Sequence, residues 1–590
     1  MRKKNENSVL RHTTAGRAIL LAAASAGMAA GTAQLSATTV NLVQVTGTNG
    51  SSGIAAQSAT ADAVQSVPDN TAIAVGGSGG IFTSSVITSG YTGASASANA
   101  TTQNNPSSSG DINSTAQATG GAGGYDTIIS PSGQSENIYG NGGAASAAGS
   151  AVNHVPGGNA TTILTAIGGN AGYARTTQAE SSGSTALGGL ASATGQAWAT
   201  GDGTATIIGV LKNGNDAPGT PADARVMAIP MSSIGAYSQT GTANASLTVT
   251  GGNAPGFSGA PGSGLPGISV ANAVSGYTSG TLNLTQIVNA GSATNDGGIG
   301  GGASSSLDAS TIYMINNVQP TNLNLVIDAT AGSGGLQGGS SPTGGSGGNA
   351  VVSGYGVLVN SGNVTITASA IGGNGGGPAL SGVGTGTVPA NYGNGGMART
   401  GQMFGQSQTG NVSVSLTLQG GNGGNGVSEN SLNAVSGTTA GNLSLSQTAI
   451  GGNALNVDGN AGEATSILQF IYPITGVPTP TSLSLTANAI GGNGGPGAAG
   501  AGIGAINGMY GGLGTVGVSG ILTGNGAVTI SGTAVGGSGG LGIDGANFGA
   551  GGSAGFQNQL VGKSGTGDVS VSGTAIGGNG GAGAAENLTN

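Results

Sequence analysis

Cysteine is absent from the 590-residue chain, histidine occurs twice, tryptophan once, and charged side chains make up only 5%. Each shortage closes off a chemistry. Without cysteine there is no thiol nucleophile, disulfide or thiolate ligand. His12 lies in a basic N-terminal stretch, so His154 alone is left, and no histidine cluster can hold zinc. A Ser-His-Asp site would have to use His154, whose surroundings, Val152 to Asn159, contain no nucleophile elbow. Carboxylates are sparse and scattered; Asp544 and Asp568, for example, fall in different segments with nothing to bring them together. These shortages predict a protein that is not an enzyme and carries no metal or cofactor.

Cations are equally informative. Five of the ten (Arg2, Lys3, Lys4, Arg11, Arg17) fall in the first seventeen positions, and the rest do not cluster. Phosphate backbones are bound by clustered lysine and arginine, so nucleic acid is excluded as a partner. Long apolar runs are also missing. The one candidate, Ala18–Ala30, follows the basic stretch and is too short to span a bilayer, but it fits the apolar core of an export signal. Residues 1–37 therefore read as an export signal cleaved between Ala30 and Ala37, residues 38–70 as an N-terminal cap or lead-in, and 71–590 as a repeat region. The expected location is secreted or bacterial cell-surface, with no transmembrane helix in the mature chain.

What the chain has instead is glycine, 127 residues of it, and one recurring phrase. It reads NVTITASAIGGNGG from Asn363, NVSVSLTLQGGNGG from Asn411, SLSLTANAIGGNGG from Ser482 and DVSVSGTAIGGNGG from Asp568, with weaker copies upstream. The glycine closing each phrase falls at Gly76, Gly120, Gly168, Gly209, Gly251, Gly291, Gly332, Gly372, Gly420, Gly451, Gly491, Gly536 and Gly577, a period of about 42 residues. Inside a phrase, Val364, Ile366, Ala368 and Ala370 alternate with Thr365, Thr367 and Ser369. A strand turns successive side chains to opposite faces, so this is a strand with one buried and one wet face. Second, weaker strands precede the phrase at 350–359, 464–472 and 555–562, joined to it by short polar turns that fit either a hairpin or a solenoid corner.

Regular stacking favours the solenoid, since thin layers gain a shared core that none could build alone. The predicted fold is all-β: an elongated, parallel β-helix-like solenoid of about thirteen repeats with glycine-rich loops. At about 4.8 Å per layer, the rod would measure about 60 Å with one layer per repeat or about 125 Å with two. Glycine-rich stretches such as Gly491–Gly512 fit polyproline-II-like or loop structure. The asparagines of GGN (Asn170, Asn253, Asn374, Asn422, Asn453, Asn493, Asn579) suit either a stacked amide ladder or simple turn preference.

Stacked in register, the phrases would align one column of Thr365, Ser413, Ser444, Ser484, Thr529 and Ser570 beside a second of Thr367, Ser415, Ser446, Thr486, Ser531 and Ser572. This is the candidate contact surface: a flat hydroxyl array for polysaccharide, with ordered water or ice ranking below it because serine and threonine are mixed. Its plain alternative is the solvated half of a β-pattern. Two further motifs carry nothing. Gly539-Gly-Leu-Gly-Ile-Asp544 matches a calcium-binding repeat once, whereas such sites share ions between successive turns. Scattered GxGxxG strings lack a strand–helix context. Trp198 is expected to pack within a layer rather than stack a sugar.

An export signal followed by AIGGNGG-type strand repeats resembles the passenger regions of Gram-negative autotransporters and adhesins. That resemblance implies a β-solenoid, surface exposure and adhesion to a host or cell surface. It departs in one respect: the sequence ends at Asn587-Leu-Thr-Asn590, directly after a repeat, without the C-terminal barrel of that group, which leaves export by a partner, release, or a longer chain as alternatives. The glycine runs are also similar to those of mycobacterial PE-PGRS proteins, although those begin with a helical domain.

Overall fold

In Asn363–Ile371, Val364, Ile366, Ala368 and Ala370 are all buried, while Thr365 and Thr367 point to solvent. Among the described residues the same strand recurs fourteen times, and the copies hydrogen-bond to one another in parallel. In this computed structural model, the described residues are 10–11, 40–51, 54–80, 92–103, 110–129, 135–172, 186–216, 227–228, 233–254, 265, 267–294, 297–310, 319–337, 343–377, 391–472, 478–500, 503–542 and 547–582. The export-signal segment therefore lies almost wholly outside them, as does Asp544.

The fourteen parallel strands form one sheet, and each defines a coil, numbered 1 to 14: Val40–Thr46, Asp69–Val75, Ile112–Thr119, Ala160–Ile167, Ala205–Lys212, Thr242–Thr250, Thr281–Asn289, Asn322–Thr330, Asn363–Ile371, Val412–Gln419, Asn442–Ile450, Ser482–Ile490, Ala527–Val535 and Val569–Ile576. Leu10–Arg11 pairs antiparallel at the edge of the first. Coil 1 thus already stacks within the segment read as a lead-in. At about 4.8 Å per rung the stack rises about 60 Å, one layer per repeat. One phrase mark moves: Gly209 lies in mid-strand opposite Leu164 and Leu247, and the phrase of coil 5 ends at Lys212.

The weaker strands make the second wall. Ala350–Val357 pairs with Ala303–Asp308 before it and Ala398–Gln406 after it, never with its own phrase strand. The turn at 360–362 is therefore a solenoid corner, and the hairpin alternative is excluded. Core residues of the two walls are complementary in size. The large end of the phrase strand, Val364 and Ile366, faces Gly356 and Gly354, and a methyl built on Gly356 would lie 3.2 Å from Val364. Leu164 likewise fills the space over Gly149, at 2.8 Å from such a methyl. This interdigitation keeps a core only two side chains thick at interior density.

The second wall is three successive sheets, broken at coils 6 and 10. At both breaks the strand splits into four-residue halves, Ile268–Ala271/Val274–Tyr277 and Glu429–Leu432/Val435–Thr438. The hinge residues Asn272 and Asn433 take left-handed φ values of 52° and 49°, a conformation asparagine tolerates better than most residues. The polar backbone freed at each break is met by a buried glutamine from the next coil. Gln286 accepts from the Ala273 N–H (3.0 Å) and donates to the carbonyls of Val270 and Ser306 and to Ser305 Oγ. Gln447 makes the same four bonds to Ala434, Ser431, Ile467 and Ser466.

Glycine builds the other half of each coil. After the phrase strand, the Gly372 and Gly375 N–H groups donate to Gln419 and Asn422 of the next coil, while Gly373 and Gly376 donate across to Gly348 and Gly345. A three-residue period with no bonds inside the segment is a polyproline-II-like path. A methyl on Gly373 would overlap the Gly332 carbonyl oxygen, and one on Gly376 that of Gly335. In this coil two positions in three leave no room for a methyl, and the third, Asn374, faces outward. Gly491–Gly497 follows the same pattern, with Gly491, Gly494 and Gly497 donating to Val535, Ser538 and Leu541. A short antiparallel pair, Ala498–Gly500 with Ile503–Ile506, follows it.

Candidate functional site

Pairing in register is what turns a β-pattern into a surface. Thr365 lies opposite Ser413, which is followed by Ser444, Ser484, Thr529 and Ser570 in adjacent rungs. Thr367, Ser415, Ser446, Thr486, Ser531 and Ser572 form the neighbouring column in the same way. All twelve sequence-predicted residues are brought together in coils 9 to 14. A third column, which the sequence reading missed, runs through Ser369, Thr417, Thr448, Asn488, Thr533 and Thr574. The result is a grid with rungs about 4.8 Å apart and columns about 6.7 Å apart, without a charged side chain.

The hydroxyls of the two predicted columns are largely unengaged. Ser572 donates to the Ile530 carbonyl at 3.3 Å. Among the described residues the other eleven have no protein hydrogen-bond partner. Thr365, Thr367, Thr529, Ser570 and Ser572 are exposed, and the remainder are half-buried between neighbouring rungs. The inner side of each of these strands is buried up to coil 13 and, apart from Gln447 in coil 11, apolar; in coil 14, Val569 and Val571 are exposed.

Below coil 9 the first column continues without interruption as Asp69, Asn113, Thr161, Thr206, Asn244, Asn283 and Asn324. Its chemistry changes, because these amides bond to one another. Asn324 donates to Asn283 and Asn283 to Asn244, both at 2.7 Å, and Asn244 donates to Thr206 at 3.2 Å. The second column turns partly apolar, with Val326, Ile208 and Ile163 in its line. The open hydroxyl grid is thus confined to coils 9 to 14. A shallow groove of about 370 Å³ marks its lower margin, where Asn324, Thr365 and Ser413 meet the amides of Asn322, Asn363 and Asn411.

The GGN asparagines do form a ladder, but between side chain and backbone. Asn374 accepts from the Asn422 N–H, Asn422 from Asn453, Asn453 from Asn493 and Asn493 from Ser538, at 2.7–2.9 Å. Asn170, Asn215 and Asn253 repeat the arrangement lower down.

Of the residues weighed for catalysis, His154 and Asp568 lie in different coils. His154 Nε2 meets the Gln103 amide nitrogen at 3.1 Å. No group of three or more histidine, cysteine, aspartate or glutamate side chains is gathered among the described residues. The buried carboxyl of Glu429 has a structural explanation. Coil 10 is short, and Glu429 supplies the acceptor for the Ala398 N–H (2.8 Å) that a carbonyl of the next coil supplies elsewhere, as Met397 does for Ala350. Burial pushes its carboxyl up to about 7, against the pull of that bond and of nearby Arg399. Asp328, beside Ser369 on the outer face, is also raised by burial.

The fold defines the class: a parallel β-solenoid whose coils are completed by stacked glycine-rich, polyproline-II-like segments. No protein-family model, curated protein or solved structure matches the chain. Among the described residues no helix is long and apolar enough to cross a membrane.

Proposed function

We propose that the chain is a secreted or cell-surface structural and adhesive repeat protein of a bacterium, without catalytic activity. The observation that carries this reading is the uncharged, in-register face of coils 9 to 14, displayed on a stack whose backbone is bonded from rung to rung. A surface repeated at fixed spacing suits multivalent contact, in which weak sites add through their number. The test is adhesion of beads coated with the chain to host cells and to bacterial cells. Retention above that of uncoated beads supports the reading, and its absence on both removes the adhesive part.

A second reading assigns the hydroxyl grid itself to polysaccharide, and the eleven unengaged hydroxyls favour it. Pull-down on insoluble polysaccharides tests this directly, with an ice-shaping assay as the comparison. Saturable binding that disappears when Thr365, Thr367, Thr486 and Thr529 are all replaced by lysine assigns the contact to the grid. Binding that survives those replacements removes it.

A further inference from the structure

The second wall carries a different kind of surface on its outer side. In coils 2 to 6, Thr101, Ser150, Gln196, Gly235 and Ser275 stand in one register column. They floor and line an open trough of about 440 Å³, with Gly149 and Gly195 at its base. Crossing five rungs, it is about 19 Å long. Two residues further along each strand lies the column Val152, Trp198, Tyr237 and Tyr277. Here the chain places its single tryptophan and two of its eleven tyrosines, although aromatics are only 3% of the sequence.

These rings do more than stack along the column. Trp198 lies 5.8 Å from Tyr237 and 5.4 Å from Tyr277, the latter edge-on, and the two tyrosines are 5.5 Å apart. The packed trio fixes Tyr237, whose ring folds over Gly235, where any Cβ would collide with it. Its hydroxyl reaches to 3.5 Å from Ser275 Oγ. Tyr237 therefore forms an aromatic wall on a floor of hydroxyls and the amides of Asn99 and Gln196, with Gln196 Nε2 3.3 Å from Ser150 Oγ. Among the described residues, no carboxylate, ammonium or guanidinium lines the trough.

The geometry points to a binding site for an extended neutral glycan chain. A sugar ring has an apolar C–H face and an equatorial rim of hydroxyls. A fixed aromatic wall takes the first, and regularly spaced side-chain hydroxyls and amides take the second. An acidic polymer would find no cation among the described lining residues, and a polypeptide strand would find no free sheet edge, because each strand of the wall through coil 5 is paired on both sides from Ala96–Gln103 onward. The site lies on the other wall from the hydroxyl grid and stands independently of it.

Trp198 is the only tryptophan, so its fluorescence reports on this place alone. The full chain is titrated with soluble galactomannan and dextran as neutral probes and alginate as the acidic one, following tryptophan emission and migration in polysaccharide-containing gels. The expected result is a saturable emission change and retardation with a neutral probe, weakened at least tenfold by Gln196→Ala and by Ser150→Leu. Both positions lie on the outer face, so these variants keep the fold, which unchanged circular dichroism checks. Replacing Thr365 and Thr367 with lysine should leave this binding intact. The inference is overturned if neither neutral probe binds, if only alginate binds, or if the lysine replacements abolish binding while Gln196→Ala and Ser150→Leu do not.

Discussion

Replacing Gly373 by alanine adds one methyl group where the chain has no room for it. The position does not take a left-handed φ, so alanine meets no torsional objection, and the whole effect is steric. The new methyl would overlap the Gly332 carbonyl oxygen of the preceding coil. Relieving it means separating two backbones that are held by the Ala331 N–H to Ile371 bond (2.9 Å) and the Gly334 N–H to Asn374 bond (2.8 Å). Overpacking costs about 1–3 kcal/mol, and each of the two weakened bonds adds about 1 kcal/mol, so a loss of about 3–5 kcal/mol is expected. The neighbouring change Asn374→Ala is the control. It removes one acceptor, for the Asn422 N–H at 2.9 Å, and should cost about 1 kcal/mol. Chemical denaturation gives the difference, and hydrogen exchange should localise the Gly373→Ala effect to the coils in contact with it. If Gly373→Ala proves no worse than Asn374→Ala, the glycine-rich half is not packed as described.

Three further outcomes follow from buried groups. Gln447→Leu leaves the Ala434 N–H without its acceptor at the break in the second wall and should destabilise the chain by about 1–3 kcal/mol in denaturant melts, and Gln286→Leu should do the same at the matching break. Leu325→Ala removes a fully buried side chain from the centre of the stack and should cost about 2–5 kcal/mol by the same assay. For Glu429, the folded chain holds its proton more tightly than the unfolded chain does. Stability should therefore be highest at low pH, fall as pH rises from about 4.5 to about 7, and level off above that; Glu429→Gln keeps an acceptor for Ala398 and should flatten this part of the pH–stability curve.

The alternation from Val364 to Ala370 was enough to read the strand, its buried face and both predicted columns, because period two admits one arrangement once strands pair in register. Where copies were degenerate, register was lost. Gly209 looked like a closing glycine but sits in mid-strand, its missing side chain replaced in the core by Leu247, with a methyl there only 2.8 Å away. The third column escaped notice because its residues, such as Thr448 and Asn488, lie next to the turn and look like part of it. The breaks in the second wall had a legible signal, the words ANAVSG at Ala271 and LNAVSG at Leu432, each followed by glutamine thirteen residues after the shared alanine. Short-range pattern says nothing about backbone left unpaired, which is what those glutamines satisfy. The glycine half was readable only as composition. That two positions in three face a neighbouring carbonyl depends on which segments lie alongside each other, and sequence spacing alone does not give that. Trp198 does pack against neighbours within the layers, yet the trio it joins also builds a wall that no single rung contains.

Because the chain has no cysteine, any pair introduced by mutation can be spin-labelled without background. Labels at Thr365→Cys and Ser570→Cys, 205 positions apart in sequence, stand five rungs apart in one column. Electron–electron distance measurement should give a narrow distribution centred near five strand spacings, about 24 Å, broadened by the label arms. A distance near twice that, or a broad distribution typical of an unordered chain, would contradict the one-coil-per-repeat stack on which every surface described above depends.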